Sequence, residues 1–265
     1  MKKTALLLTL AAMFFASCSK DEGEKVIENL GEKIIGKWMV SDINGQPAIT
    51  NHKVVYTFLS ATTGYCSTSR ADYTESDKMW NSHVESEITI DGNRVSLTGH
   101  LSEDISFVAE IHVKSISDSE MLTDSKYTLY RNGNAISTNQ GEVRWTKVTV
   151  DYSQDILGLW EGHIMSDQSR FDDGELHRWE YKDDETYVYW AIEEGEWVDN
   201  VNSVAEYFVD GNLLCTRWKN RRNLTEYREW WEIASIEDGV MNWTALRQEE
   251  DGTTYTATFT MTKMQ

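Results

Sequence analysis

Residues 88–97 read ITIDGNRVSL, and residues 207–216 read YFVDGNLLCT. In each, a run rich in β-branched or aromatic residues breaks at Asp-Gly-Asn and resumes, the pattern of a hairpin whose glycine takes a positive φ. The two steps, Asp91-Gly92-Asn93 and Asp210-Gly211-Asn212, lie 119 positions apart. Three further landmarks repeat in the same order. Ile35-Gly36-Lys37-Trp38 returns as Leu157-Gly158-Leu159-Trp160 after 122 positions, Ser115 to Met121 as Ser235 to Met241 after 120, and Trp145-Thr146-Lys147 as Met261-Thr262-Lys263 after 116. Ordered matches at a nearly constant offset identify an internal duplication. Two homologous domains follow, 34–150 and 155–265, each near the usual size for one core.

Within each copy, strand follows strand. Tyr255, Ala257, Phe259 and Met261 alternate with Thr254, Thr256, Thr258 and Thr260, the period of two that puts one face on a core and the other in water. Turn pairs at Asp91-Gly92, Asn132-Gly133, Asp210-Gly211, Asp238-Gly239 and Asp251-Gly252 punctuate the strands and imply up-and-down connections. A sandwich would accommodate the same strands, but closure into a barrel removes exposed sheet edges. Helical periodicity is confined to Glu24 to Ile35, where Val26, Ile27, Leu30 and Ile34 line one side. The expected fold is all-β: two tandem antiparallel up-and-down barrels of about eight strands each, led by a short helix.

The Gly-x-Trp that opens the first strand of both copies resembles the lipocalin-like, calycin-type families. The resemblance implies that Trp38 and Trp160, with Gly36 and Gly158, plug one end of each barrel. Thr123-Asp124 is followed by Ser125 where those families carry an aromatic residue. The likeness implies fold, not ligand.

The N-terminus reads as an export signal. Lys2 and Lys3 precede an apolar run from Ala5 to Ala16, too short to span about 30 Å of hydrocarbon. Phe15-Ala16-Ser17-Cys18 resembles a bacterial lipobox, with Phe15 where Leu is usual. That resemblance implies cleavage after a signal peptide at 1–17, acylation of Cys18, and a lipidated tether with the short helix at 18–33. Ser19-Lys20-Asp21-Glu22 resembles the acidic signal that carries some lipoproteins of Gram-negative bacteria to the outer face of the outer membrane. An outer-membrane, surface-exposed protein is therefore expected, with the periplasmic face as the alternative.

Removing residues 1–17 leaves 44 acidic side chains against 23 basic, a mature charge of about −21. No basic patch is available to release counterions from phosphates, so nucleic acid is excluded as a partner. With Cys18 assigned to lipid, Cys66 and Cys215 remain, one in each half. They read as buried free thiols, with an interdomain disulfide as the alternative in an oxidising compartment.

The search for chemistry leads to aromatic residues. Eight of the eleven Trp lie in the second copy, more than a small interior holds comfortably. Alternation sends Trp179, Tyr227, Trp231 and Trp243 inward. Glu229 shares the face of Tyr227 and Trp231, and Arg217 that of Leu213 and Cys215, so these six residues are the candidate ligand-binding set. Trp230, among Glu226, Arg228 and Glu232, and Trp197 read as exposed aromatics suited to a glycan. Strand 187–192 is apolar on both faces and needs a cover, for which the other domain is the first choice. The six His show no metal-binding or catalytic spacing, and no nucleophile elbow or phosphate loop is present. Acidic runs such as Asp183-Asp184-Glu185 lack the alternation of a calcium loop.

No catalytic residue, metal or cofactor is therefore expected. The sequence points to a non-enzymatic lipoprotein, membrane-bound through Cys18, that holds a small apolar or glycan-like ligand in its Trp-rich second domain. The alternative is an interaction or assembly module for other envelope proteins.

Overall fold

The computed structural model describes residues 26–69, 80–168, 174–199, 205–219 and 224–265. The signal peptide, Cys18 and Glu24 lie outside the described residues. The first sheet comprises β1 (Gly36–Ile43), β2 (Gln46–Pro47), β3 (Val55–Phe58), β4 (Thr63–Ser69), β5 (Trp80–Asp91), β6 (Arg94–His100), β7 (Ile105–Ile116), β8 (Glu120–Arg131) and β9 (Asn134–Val148). Strand β1 pairs with both β3 and β9, closing eight antiparallel strands into a barrel, while β2 hangs on the end of β1.

The second sheet comprises β10 (Gly158–Ser166), β11 (His177–Tyr181), β12 (Tyr187–Glu193), β13 (Glu196–Asp199), β14 (Ala205–Asp210), β15 (Leu213–Lys219), β16 (Glu226–Glu237), β17 (Val240–Gln248) and β18 (Thr254–Lys263). Its nine strands curl in the order β13-β12-β11-β10-β18-β17-β16-β15-β14, and among the described residues no continuous ladder joins the ends. A single bridge, Thr186 to Glu206, and a bond from Tyr207 N–H to the Glu185 carbonyl (2.9 Å) draw the seam together.

The alternation read in residues 254–263 is the burial pattern of β18: Ala257, Phe259 and Met261 are buried, and Thr260 faces water. Asn132 and Gly133 (φ 50° and 79°), and Asp238 and Gly239 (φ 50° and 76°), take the two successive positive φ values of a tight hairpin turn. The leading helix α1 is shorter than its periodicity implies, spanning Leu30–Lys33. Leu30 and Ile34 are buried as expected, but Val26 is 62% exposed. One helical turn suffices to seat those two side chains in the barrel end.

The two Gly-x-Trp segments have the same geometry. Trp38 and Trp160 are fully buried. Each indole N–H donates to the carbonyl four residues back, Trp38 to Ile34 (2.7 Å) and Trp160 to Ile156 (2.6 Å). An ammonium lies over each ring, Lys147 at 5.2 Å from the Trp38 centroid and Lys263 at 5.1 Å from that of Trp160. Gly36 and Gly158 have φ of 121° and 116°, a region L side chains rarely enter. A Cβ there would meet the lysine stem, at 3.0 Å from Lys147 Cε or 3.1 Å from Lys263 Cε.

The barrels pack side by side. Met39 and Val55 of the first form one apolar cluster with Phe208, Leu213 and Cys215 of the second, flanked by Trp80, Val148 and Trp230. Lys37 reaches across to Asp151 (2.8 Å) and Asp210 (2.7 Å), Lys53 pairs with Glu232 (2.6 Å), and Leu246 N–H donates to Thr50 Oγ1 (2.9 Å).

Replacing Gly36 or Gly158 by Ala combines a disfavoured φ with a displaced lysine. Each variant is expected to lose about 1–3 kcal/mol of stability by urea denaturation. Parental stability in both would refute the assignment of strain to these glycines.

Candidate functional site

Inside the second barrel the aromatic residues pack on one another. Trp243 lies within 5.5 Å of Trp179, 5.6 Å of Trp231 and 5.7 Å of Phe259, measured between ring centroids. Tyr181 sits edge-on to Tyr207 at 4.8 Å, and His177 Nδ1 shares a hydrogen with Tyr189 Oη at 2.7 Å. Trp179, Trp231 and Trp243 therefore all point inward. Glu229 does too: Trp231 Nε1–H donates to it (3.4 Å), and Arg247 stands 3.9 Å from its carboxylate with the guanidinium 4.4 Å from the Trp231 centroid. Tyr227 lies at the rim, 43% exposed and stacked on Trp218 at 5.7 Å.

Three assignments need correction. Arg217 does not join this interior. It pairs with Glu206 and lies 4.9 Å from the Trp80 centroid, because Leu213 and Cys215, which share its face, look out of the second barrel onto the first. Trp230 is not an exposed aromatic. It stands opposite Cys215 in the β15–β16 ladder, belongs to the same apolar cluster, and donates its N–H to the Ser69 carbonyl (3.2 Å). The charges beside it are paired, Arg228 with Glu226 (2.7 Å) and Glu232 with Lys53, so this charged face is the domain contact. Among the described residues, strand β12 is not covered by the first barrel, since the contact is built from β14 to β17 and Asp151. Tyr187 and Tyr189 enter the second core, while Ile192 on the opposite face is 49% exposed. Beside it in the ladder, Trp197 is half-buried, with Arg178 4.0 Å from its ring centroid.

An apolar chamber lies within the first barrel. A chamber of about 150 Å³ opens at the end opposite Trp38. Val40, Val54, Tyr56, Cys66, Ala109, Ile111, Val143 and Trp145 wall it, and His52, Lys126, Asn139 and Gln140 contribute polar groups to its rim. Tyr56 and Trp145 stack at 5.2 Å, and Trp145 N–H is satisfied by Thr123 Oγ1 at 2.9 Å, leaving ring surface to the chamber.

Strand register explains why one barrel has room. Trp38 pairs with Tyr56 as Trp160 pairs with Trp179, and Tyr56 pairs with Cys66 as Trp179 pairs with Tyr189. Thr123 pairs with Val143 where the second barrel sets Trp243 against Phe259. At four equivalent inward positions, Tyr56, Cys66, Thr123 and Val143 are thus replaced by the bulkier Trp179, Tyr189, Trp243 and Phe259. The wall residues of the first chamber were not singled out by sequence reading. The signal that could have found them is the loss of side-chain volume between aligned positions of the repeat.

Electrostatics concentrate between the barrels. Asp210 is 1% exposed and is held by Lys37 and by the Ser67 hydroxyl. Burial alone would lower the Lys37 pKa, but hydrogen bonds and charge from Asp151 and Asp210 outweigh it and raise the value. Burial alone would raise the Asp151 pKa, but Lys37 and the Ser153 backbone bring it down. Burial pushes Tyr207 up to about 12, aided by Glu185, Asp184 and Asp183. Cys66 and Cys215 are buried and form no disulfide. Burial and the Asp210 charge hold the Cys215 thiol well above its usual range, against the pull of Arg228. Among the described residues, no group of three or more His, Cys, Asp or Glu could hold a metal ion.

No protein-family description matches the chain, and no curated protein does. Among solved structures it is similar to a protein of unknown function of the DUF3598 family from Nostoc punctiforme, at 12% identity and a TM-score of 0.25, covering 88% of this chain and 97% of that one. A likeness at that level carries no functional argument.

Two outcomes follow from these environments. The stability difference between the parent and Lys37→Met should be constant from about pH 4 to about pH 10 and shrink outside that window. On the acid side the depressed Asp151 loses its contribution as pH falls through its folded pKa, and on the alkaline side the raised Lys37 loses its contribution as pH rises through its own. Thermal melts across pH test this, and a difference independent of pH at both extremes would contradict it. A thiol reagent at mildly alkaline pH should modify neither Cys66 nor Cys215 until denaturant is added. Rapid labelling of Cys215 in the native protein would show that the barrels separate.

Proposed function

We propose that the chain is a non-enzymatic lipoprotein of the bacterial outer membrane, anchored through an acylated Cys18, whose first barrel holds a small apolar molecule. The observation that carries this reading is the chamber of about 150 Å³ walled by Tyr56, Trp145 and aliphatic side chains. A cavity of about that size accepts one benzene-sized guest, whereas drug-sized ligands need roughly 300 Å³ or more. The ligand class is therefore a single aromatic ring or a short alkyl chain, with any polar substituent directed to the rim. Long-chain fatty acids, haem and oligosaccharides are too large. The anchor rests on the lipobox resemblance, and surface exposure on the acidic run after Cys18.

The site thereby moves from the Trp-rich second barrel, expected from composition, to the first. In the second barrel, the rings that would line a ligand occupy the interior themselves. The alternative of an envelope assembly module draws support from the outward face of β12, where Ile192 is 49% exposed next to the edge strand β13.

Tryptophan fluorescence of the soluble chain, titrated with single-ring compounds and short alcohols, tests the proposal. A saturable change is expected, with affinity at least about tenfold weaker in Ala109→Leu, whose added methyl groups fill the chamber. Trp231→Phe in the second barrel should leave the affinity unchanged. Loss of binding in Trp231→Phe, with Ala109→Leu unaffected, would return the site to the second barrel. No response to any compound, with capture of a defined envelope protein that is lost in Ile192→Asp, would favour the assembly module.

A further inference from the structure

The two barrels share a polarity, and the chain enters at one shared end. Trp38 and Trp160 mark the plugged ends. Lys37, next to the first plug, pairs with Asp151, shortly before the second plug, and with Asp210 at the β14–β15 turn on the same end. At the other end, Thr50, between β2 and β3, accepts the hydrogen bond from Leu246 near the end of β17. Both plugged ends therefore lie together, as do both open ends. The N-terminal segment enters on the plugged side: Ile27 N–H donates to Asn93 Oδ1 in the β5–β6 turn (2.7 Å), and Leu30 and Ile34 are buried beneath Trp38.

Eight residues carry the chain from Cys18 to Val26. Fully extended they reach at most about 29 Å, and as a flexible linker they span about 16 Å. The wall they would have to pass is taller than that second figure. Strand β7 has twelve residues, about 40 Å along the strand and roughly 30 Å along the barrel axis at the usual tilt. A lipid on Cys18 can thus lie comfortably beneath the plugged ends. To bring the open ends to the same membrane, the tether would have to be stretched to its limit along the whole wall.

We infer that the protein stands on the membrane with the plugged ends of both barrels toward the lipid, so that the first-barrel chamber opens into the aqueous phase about 30 Å above them. The partner of the plugged face is a lipid surface, and the ligand is drawn from solution and not from the bilayer. This orientation rests on acylation of Cys18, and it gives the proposed binding reading the source of its ligand.

The test uses the lipidated full chain in phosphatidylcholine vesicles containing a lipid with a headgroup quencher. One fluorophore is placed at Asp118→Cys, exposed on the plugged end, or at Glu103→Cys, exposed on the open end; the buried Cys66 and Cys215 stay unlabelled. Quenching is expected to be several-fold stronger at position 118 than at 103, and inserting about twenty Gly/Ser residues before Val26 should shrink the difference. Equal or inverted quenching in the parent chain would overturn the orientation. A chain that does not float with vesicles would overturn the anchor and this inference with it. Expected quenching in a protein that binds no single-ring compound would leave the orientation standing and remove the chamber reading alone.

Discussion

Curling a sheet into a barrel, closed in the first copy and drawn together at a bridged seam in the second, bounds an interior that the inward side chains either fill or leave as a chamber. Everything specific about this protein follows from how its two copies meet that constraint. In the first, Tyr56, Cys66, Thr123 and Val143 fall short of filling the open end. In the second, Trp179, Tyr189, Trp243 and Phe259 stand at the same register positions and pack ring against ring. Duplication supplied two similar frames, and side-chain volume divided them into an open barrel and a filled one.

The lower part of each frame is held in common. A glycine in the left-handed half of φ lets the chain turn from the helical segment into the first strand. The Trp two residues later then folds back so that its N–H meets a carbonyl that would otherwise be buried unpaired. The lysine over each indole adds a cation–π contact and shields the ring from water. This plug seals the chamber end nearest Trp38, and the same residues recur at both barrel bottoms.

Joining the barrels consumes surface that looks, strand by strand, like an exterior. The outward face of β14 to β16 carries Phe208, Leu213, Cys215 and Trp230 beside Glu226, Arg228 and Glu232. An apolar face needs a cover, and its charges need partners once covered. Both needs are met by the first barrel, through Met39 and Val55 and through Lys53 and Ser69. Buried Asp210 is tolerated because Lys37 and Ser67 converge on it, which ties the plugged ends to each other and gives the molecule a common up and down.

The sequence by itself determined the strands, the turns, the duplication and the inward direction of most aromatic residues, because each depends on local φ preference or on a period of two that a single chain segment displays. Trp38 and Trp160 were legible as plugs for the same reason, since both copies of a short motif carry them. Which face of a strand meets water was not legible where two barrels touch: alternation separates the two sides of β15 and β16 but does not say that Arg217 and Trp230 look onto another domain. Nor could composition locate the cavity. Eight Trp in one copy suggested a lined pocket there, yet large rings on inward positions close a small barrel, and the smaller residues of the other copy leave it open. That outcome was decided only in the tertiary structure, because free volume belongs to the packed assembly of all strands and to no segment alone.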